Sequence, residues 1–390
     1  MKVMIHKIHM GENLPSVQAG GEYTIDGNDY SHLVYPQDIR NCVNCHVGSG
    51  TVGDRTDLTV TSQGDNWAEV PSRAACGSCH EDEVWEEHQG GQTDDLQCAG
   101  CHDSSNVVES HLIPSQEARK NFAAEILSLT NTGPGDTPVA TFRVFNPLDE
   151  TNYVILNDPV WTDSSSRLRV RFSWDNLDYN NTGNGEDDAN SVPADAKEEA
   201  VPNGDGTYRI SPPIPIPDAT VPPGVAATGS GTAVIEGRAV VEFGPDDSGR
   251  VPLTNVHEAF SIDEVDGEAQ ERRDLVPIEK CQSCHVSISF HGGSRNDNIT
   301  SCATCHNPRN TDREDREGLD PPPADGLQEQ SVDLKVMIHG IHAAGFREVP
   351  LQVEEEVFDE EHVQYPGNLA NCETCHDDDS YALPLAEGVL

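Results

Sequence analysis

Strict alternation of apolar and polar residues is clearest in the middle of the chain. Between Arg167 and Trp174, Leu168, Val170, Phe172 and Trp174 point one way while Arg167, Arg169 and Arg171 point the other. Period-two patterning of this kind predicts a half-buried β-strand. Ala233, Ile235, Ala239, Val241 and Phe243 share one face of a second, longer strand, and Val139 to Phe145 predicts a third. Turn residues are dense between these runs, as in Asn203-Gly204-Asp205-Gly206 and the proline-rich run from Pro212 to Pro223. Residues 119–268 therefore read as an antiparallel β-barrel or sandwich. On both sides the pattern weakens to coil with short helices. Met4 to His9 and Met337 to His342 are predicted helical turns in which His at i and i+3 share one side.

Those two turns belong to a repeat. Lys2 to His9 reads KVMIHKIH, and Lys335 to His342 reads KVMIHGIH. Each copy continues through His-x-x-Tyr-Pro, from His32 to Pro36 and from His362 to Pro366, and reaches Asn-Cys-x-x-Cys-His at Asn41 and Asn371. A second repeat overlaps the first. His88-Gln89-Gly90-Gly91 separates two Cys-x-x-Cys-His motifs, and His291-Gly292-Gly293 separates two more.

All 12 cysteines fall in such motifs: Cys42, Cys45 and His46; Cys76, Cys79 and His80; Cys98, Cys101 and His102; Cys281, Cys284 and His285; Cys302, Cys305 and His306; Cys372, Cys375 and His376. This is the attachment signature of c-type haem. Two thiols add across the vinyl groups of one porphyrin, and the next residue supplies the proximal imidazole. Half a zinc ribbon also reads Cys-x-x-Cys. With only 16 His in the chain, six motifs ending in His by chance have a probability on the order of 10⁻⁹. A disulfide framework leaves the regular His unexplained. The expectation is six haem c groups.

Ten histidines remain for the second axial position: His6, His9, His32, His88, His111, His257, His291, His339, His342 and His362. Methionine numbers four, three of them in the first ten residues, so bis-His ligation is expected. That ligation implies lower potentials than Met/His. Recurrence ranks His6, His9, His339 and His342 first, then His88 and His291, whose glycines would let backbone approach a porphyrin closely, then His111. A buried structural pair is the competing reading of the first four. His32 and His362 suit a structural or propionate contact equally well, and His257 reads as an ordinary surface or core residue. The acidic loop from Asp175 to Asp188 offers oxygen ligands for calcium but lacks EF-hand spacing, so a solvated loop is the favoured reading.

Composition narrows the class further. Aromatic residues are only 5%, a deficit that porphyrin bodies would fill. The net charge of −44 excludes a basic nucleic-acid footprint and favours solubility. No run is long and apolar enough to span a membrane, and the chain opens without a signal peptide. Haem attachment outside the cytoplasm then implies that the natural chain extends upstream. In the repeat, position 2 aligns with position 335. Two further motifs around a His-Gly-Gly are therefore expected before Met1, and two more, with two histidines, after Leu390.

Taken together, KVMIHKIH, the Tyr-Pro step before Asn-Cys-Val-Asn-Cys-His, Cys-Gly-Ser-Cys-His with its His-x-Gly-Gly, and Arg272-Arg273 ahead of Cys281 resemble the outer-membrane decahaem c-type cytochromes of the OmcA/MtrC type. The resemblance implies β-barrel domains alternating with pentahaem domains. Residues 1–118 would hold the last three haems of one pentahaem domain, 119–268 a β domain, and 269–390 the first three haems of the next. It implies a place on the extracellular face of the outer membrane or in the periplasm. The donor would be a porin–cytochrome conduit or a periplasmic cytochrome. The acceptors would be iron or manganese oxides, flavins or soluble metal chelates, with terminal metal-reductase activity as the enzymatic form of this role. A subunit of a multihaem filament is the second reading. A catalytic reductase of nitrite or sulfur oxyanions is the third, and all six motifs ending in His count against the open iron it needs.

Overall fold

The computed structural model describes residues 2–48, 60–89, 91, 93–185, 188–220, 224–245, 247–263, 267–361, 363–377 and 380–382. The strands with a common core lie between Ala123 and Ser261. Among the described residues they form two five-stranded antiparallel sheets. The first has the order β1 (Ala123–Thr130), β2 (Val139–Asn146), β7 (Tyr208–Ile210), β6 (Val201–Pro202), with β3 (Thr151–Asn152) also on β2. The second runs β9 (Asp247–Pro252), β8 (Ser230–Gly244), β4 (Arg167–Trp174), β5 (Val192–Asp195). β8 is long enough to take two partners along one edge: residues 230–235 pair with β10 (Val256–Ser261) and residues 238–244 with β9. Its other edge pairs with β4 from Gly231↔Trp174 to Arg238↔Arg167.

The sheets close over one core. Ala140, Phe142 and Val144 of β2 face Leu168, Val170, Phe172 and Trp174 of β4 and Ala233, Ile235 and Ala239 of β8 in a single cluster with Trp161 and Leu253. All three strands expected from alternation are present. Of the two architectures left open, the open sandwich is realised; the sheets do not join into a closed barrel. One side of β4 departs from expectation. Arg171 is buried although it faces away from the core, because a haem-motif segment covers the outer face of β4 there.

Outside the sandwich, coil and short helices dominate. Helix α1 (Lys2–Met10) contains no buried residue, and neither do α2 (Ser104–His111) and α3 (Ile278–His285). Asp103 caps α2 by accepting from Asn106 N–H at 3.0 Å. Helix α4 (Ile299–Ala303) is capped by Asn298 and docks on the sandwich. The Asn298 amide donates to Asn255 O, and the Asn296 amide donates to Gly237 O and Leu253 O. Helix α5 (Leu334–His342) rests Met337 and Ile341 on a small hairpin that buries Leu351 and Val353. The helical turns predicted at residues 4–9 and 337–342 are thus complete helices of nine residues.

Candidate haem-binding sites

The pentapeptide of each motif folds into one turn. His46 N–H donates to Cys42 O at 2.9 Å, and the same bond closes Cys76–His80, Cys98–His102, Cys302–His306 and Cys372–His376. In the Cys281–His285 motif the turn is part of α3. The turn brings both cysteines and the histidine of a motif onto one short loop of backbone. All 12 thiols are free; where haem c is attached, their Sγ atoms would become the thioether sulfurs.

Each motif histidine faces one non-motif histidine. Ring centroids are 5.9 Å apart for His6 and His46, 6.4 Å for His80 and His111, and 6.0 Å for His88 and His102. They are 6.0 Å apart for His285 and His342, 5.9 Å for His291 and His306, and 6.0 Å for His339 and His376. Two imidazoles on one iron need two metal–nitrogen bonds of about 2 Å and two ring radii of about 1.1 Å, roughly 6 Å in all. The donor set and its spacing therefore fit an iron held between two histidines.

Hydrogen bonds fix which nitrogen is presented. The Nδ1 atoms of His111 and His342 lie 2.7 and 2.8 Å from the carbonyls of Val107 and Ile338, one turn earlier on their own helices. His306 Nδ1 lies 2.9 Å from Val332 O and His88 Nδ1 3.2 Å from Gln89 O. A carbonyl only accepts, so Nδ1 carries the proton and Nε2 keeps its lone pair for a metal. Ser380 reaches the same end by another route. Its hydroxyl donates to Leu275 O at 3.1 Å and so accepts from His376 Nδ1 at 3.2 Å. Burial pushes the imidazoles of His6, His46, His285, His306 and His339 below their ordinary range. Burial, followed by the Arg295 guanidinium, takes His291 down to about 4. Neutral imidazole is the form that coordinates iron.

His9 stands apart. Its Nδ1 is 2.9 Å from Ile5 O, as in its repeat counterpart His342. The rings of the two residues meet Tyr35 and Tyr365 edge-on at 5.2 and 5.8 Å. Yet no motif histidine faces His9 among the described residues. The tyrosines escaped the sequence reading, although the repeated Tyr-Pro step carried the signal. The histidine of that step is exposed in the first copy, where His32 lies 3.8 Å from Asp29; His362 lies outside the described residues. His257 pairs with the Asn298 amide and Glu271 and faces no motif histidine among the described residues. Trp67 and Trp85, also missed, pack against His111 and His88. The glycines of His291-Gly292-Gly293 take left-handed backbone, with φ +70° and +88°. A side chain at Gly292 would meet Arg238 and Arg250. In the acidic loop, Asp178 engages Arg273 and Asp175 accepts from Thr228 N–H. Glu186 and Asp187 lie outside the described residues, and no group of three acids, histidines or cysteines gathers for a metal among those described.

The motifs also stand in an order. Cys98 is within electrostatic range of Cys76, and Cys79 of Cys42. The first region meets the second where Gln37 donates to Cys284 O at 2.9 Å and Asn44 to Ser283 O at 3.4 Å. Cys281 is then in range of both Cys302 and Cys375.

An open two-sheet sandwich flanked by coil regions carrying six Cys-x-x-Cys-His turns has the make-up of a multihaem c-type cytochrome. Residues 1–112 and 273–389 match the model of the outer membrane cytochrome MtrC/MtrF-like family, domains II/IV. The match covers more than half of the chain, which belongs to that family; haem c is the family's cofactor. Two solved structures share the fold. MtrC from Shewanella baltica OS185 aligns over 88% of this chain and 54% of its own, at 17% identity and a TM-score of 0.53. The outer membrane decaheme cytochrome OmcA aligns over 98% and 54%, at 15% identity and a TM-score of 0.61. This chain spans about half the length of each. No curated protein sequence matches it. Among the described residues no helix is long and apolar enough to cross a membrane.

Proposed function

We propose that this chain conducts electrons outside the cell through six covalently attached bis-His haems. The observation that carries the reading is the pairing of every motif histidine with a second imidazole near 6 Å. Two nitrogen ligands on each iron fill both axial positions. Haem held by such a pair would supply electron transfer without exchange of ligands, and the two imidazoles would keep substrates from the metal. The axial pairs in this reading are His6/His46, His111/His80, His88/His102, His342/His285, His291/His306 and His339/His376. His9, presented like His342, would serve an iron supplied by another segment.

The motif order supports one conduction path: Cys98–His102, Cys76–His80, Cys42–His46, then Cys281–His285, where it divides toward Cys302–His306 and Cys372–His376. The same reading divides the chain into haem regions at 1–118 and 269–390 around a β domain at 119–268. By family, the donor would be a porin–cytochrome conduit or a periplasmic cytochrome. The acceptors would be metal oxides, soluble metal chelates or flavins at the outer surface. Stopped-flow mixing of the reduced, matured protein with ferric citrate tests this. Reoxidation of all six haems, from low-spin iron throughout, is expected. A large high-spin population, or haems that stay reduced, would overturn it.

A further inference from the structure

Helix α3 carries Cys281, Cys284 and His285, and it ends on them. The last carbonyls of a helix have no partner within it. Here two of them are met from the other haem region. Gln37 Nε2 donates to Cys284 O at 2.9 Å, and Asn44 Nδ2 donates to Ser283 O at 3.4 Å. Both amides also reach Tyr35, whose hydroxyl lies 3.1 Å from Gln37 Nε2. Pro36 completes the contact, because its backbone hydrogen-bonds the His285 ring. Proline has no N–H, so the Pro36 carbonyl accepts and the imidazole donates. The second ring nitrogen of His285 is left for the iron.

This partner belongs to a different haem region from its histidine. Val107, Ile338, Val332, Gln89 and Ser380 each serve a histidine of their own region. Just beyond the helix, Val286 sits at φ +48°. A β-branched residue is strained there and persists only where its surroundings hold it. No other residue that follows a motif histidine takes positive φ.

The repeat isolates the part played by Gln37. The second Tyr-Pro step reads Tyr365-Pro366-Gly367, so glycine stands where the first copy has Gln37. Tyr365 still meets His342 edge-on, as Tyr35 meets His9. The step therefore folds with either residue, and the amide is an addition placed where the regions meet. Asn44 lies between Cys42 and Cys45, so its contact joins one haem motif directly to another.

Building on the six-haem reading, we propose that Gln37 is a positioning residue. With Asn44 and the Pro36 carbonyl, it lets the first haem region fix the ligation geometry, and lower the reduction potential, of the haem on Cys281 and Cys284. A carbonyl that accepts from an iron-bound imidazole makes that ligand more basic, which favours oxidised iron. The same bond fixes the plane of the ring. The rings of His285 and His342 cross at 83°, whereas those of His291 and His306, and of His339 and His376, stand at 28°. Crossed imidazoles leave two iron d orbitals nearly equal in energy and give a strongly anisotropic low-spin resonance. Near-parallel imidazoles separate those orbitals and give an ordinary rhombic one.

The test uses the matured full chain. In a spectroelectrochemical titration His342→Met should raise one wave and so mark this haem, because Met/His ligation raises the potential. Gln37→Leu and Gln37→Gly, by releasing Pro36 from His285, should each move the same wave upward and leave the others in place. In electron paramagnetic resonance both variants should lose intensity from the anisotropic signal. The share from the other crossed pair, His80 and His111 at 76°, should stay as an internal reference. Six haems by mass, with the marked wave and the anisotropic signal unchanged in both variants, overturns this inference alone. So does a shift spread over all the waves, which a general loosening of the fold would give. Absence of haem on Cys281 and Cys284 in the unaltered protein, seen by peptide mass mapping, overturns the six-haem reading and this inference with it.

Discussion

The sandwich and the haem regions differ in what holds them together. In the sandwich, Trp161, Phe142, Phe172, Trp174, Leu168 and Ile235 are fully buried in one cluster, a hydrophobic driving force that the chain supplies itself. In the haem regions α1, α2 and α3 bury nothing, and Val3, Met4, Ile5 and Leu112 are exposed. Those helices are also too short to persist on propensity alone. What they hold in place is a set of imidazoles and sulfurs. One region carries a continuous core in the chain; the other has only small clusters such as that of Leu351 and Val353, and under the proposed function haem would supply the rest.

The largest effect should come from withholding that cofactor. Produced without haem attachment, the chain should keep slow amide exchange in β1, β2, β4 and β8 and lose it across Lys2–His111 and Ile278–His376. Hydrogen-exchange mass spectrometry reads both at once, and equal protection in all regions would break the comparison.

Phe142→Ala probes the other side. Phe142 is fully buried against Tyr208, so truncation should cost the sandwich about 3–5 kcal/mol. Denaturant unfolding followed at the tryptophans should show the loss, while the haem absorption of the native protein stays unchanged. A haem spectrum that shifts with Phe142→Ala would mean that the regions share one core.

Removing one distal imidazole is a smaller and more local change. His111→Ala should turn the iron opposite His80 high-spin, roughly one sixth of the total if six haems are bound. Electron paramagnetic resonance measures the fraction, and an unchanged spectrum would remove His111 from the ligand set. His9→Ala should do least. With no motif histidine opposite it among the described residues, the variant should leave the spin state of all six haems as it was. New high-spin iron would show that His9 is a ligand within this chain.

What could be read from sequence followed the range of the interactions. The strands at 139–145 and 167–174 were legible because alternation is local. The motif histidines could be picked out because attachment chemistry calls for a five-residue spacing. Recurrence singled out His6, His9, His88, His291, His339 and His342, and position after a motif singled out His111; all but His9 stand opposite motif histidines among the described residues. Their pairing was not legible, because His342 meets His285 and His6 meets His46 only through the fold. Arg171 was read only as pointing away from the apolar face of its strand. Nothing near it in sequence announces that the segment around Cys305 covers it. Tyr35 and Tyr365 were passed over in favour of the histidines three residues earlier, since titratable groups draw attention that an aromatic edge does not.

The central claim is that the haem regions are built around six covalent irons, and intact mass of the protein matured in a cytochrome c-competent host measures it most directly. The account predicts the 42.3 kDa polypeptide plus six haems, retained through acid–acetone extraction. A mass of bare polypeptide, of polypeptide with zinc, or of a chain lighter only by the hydrogens lost to disulfides would contradict it.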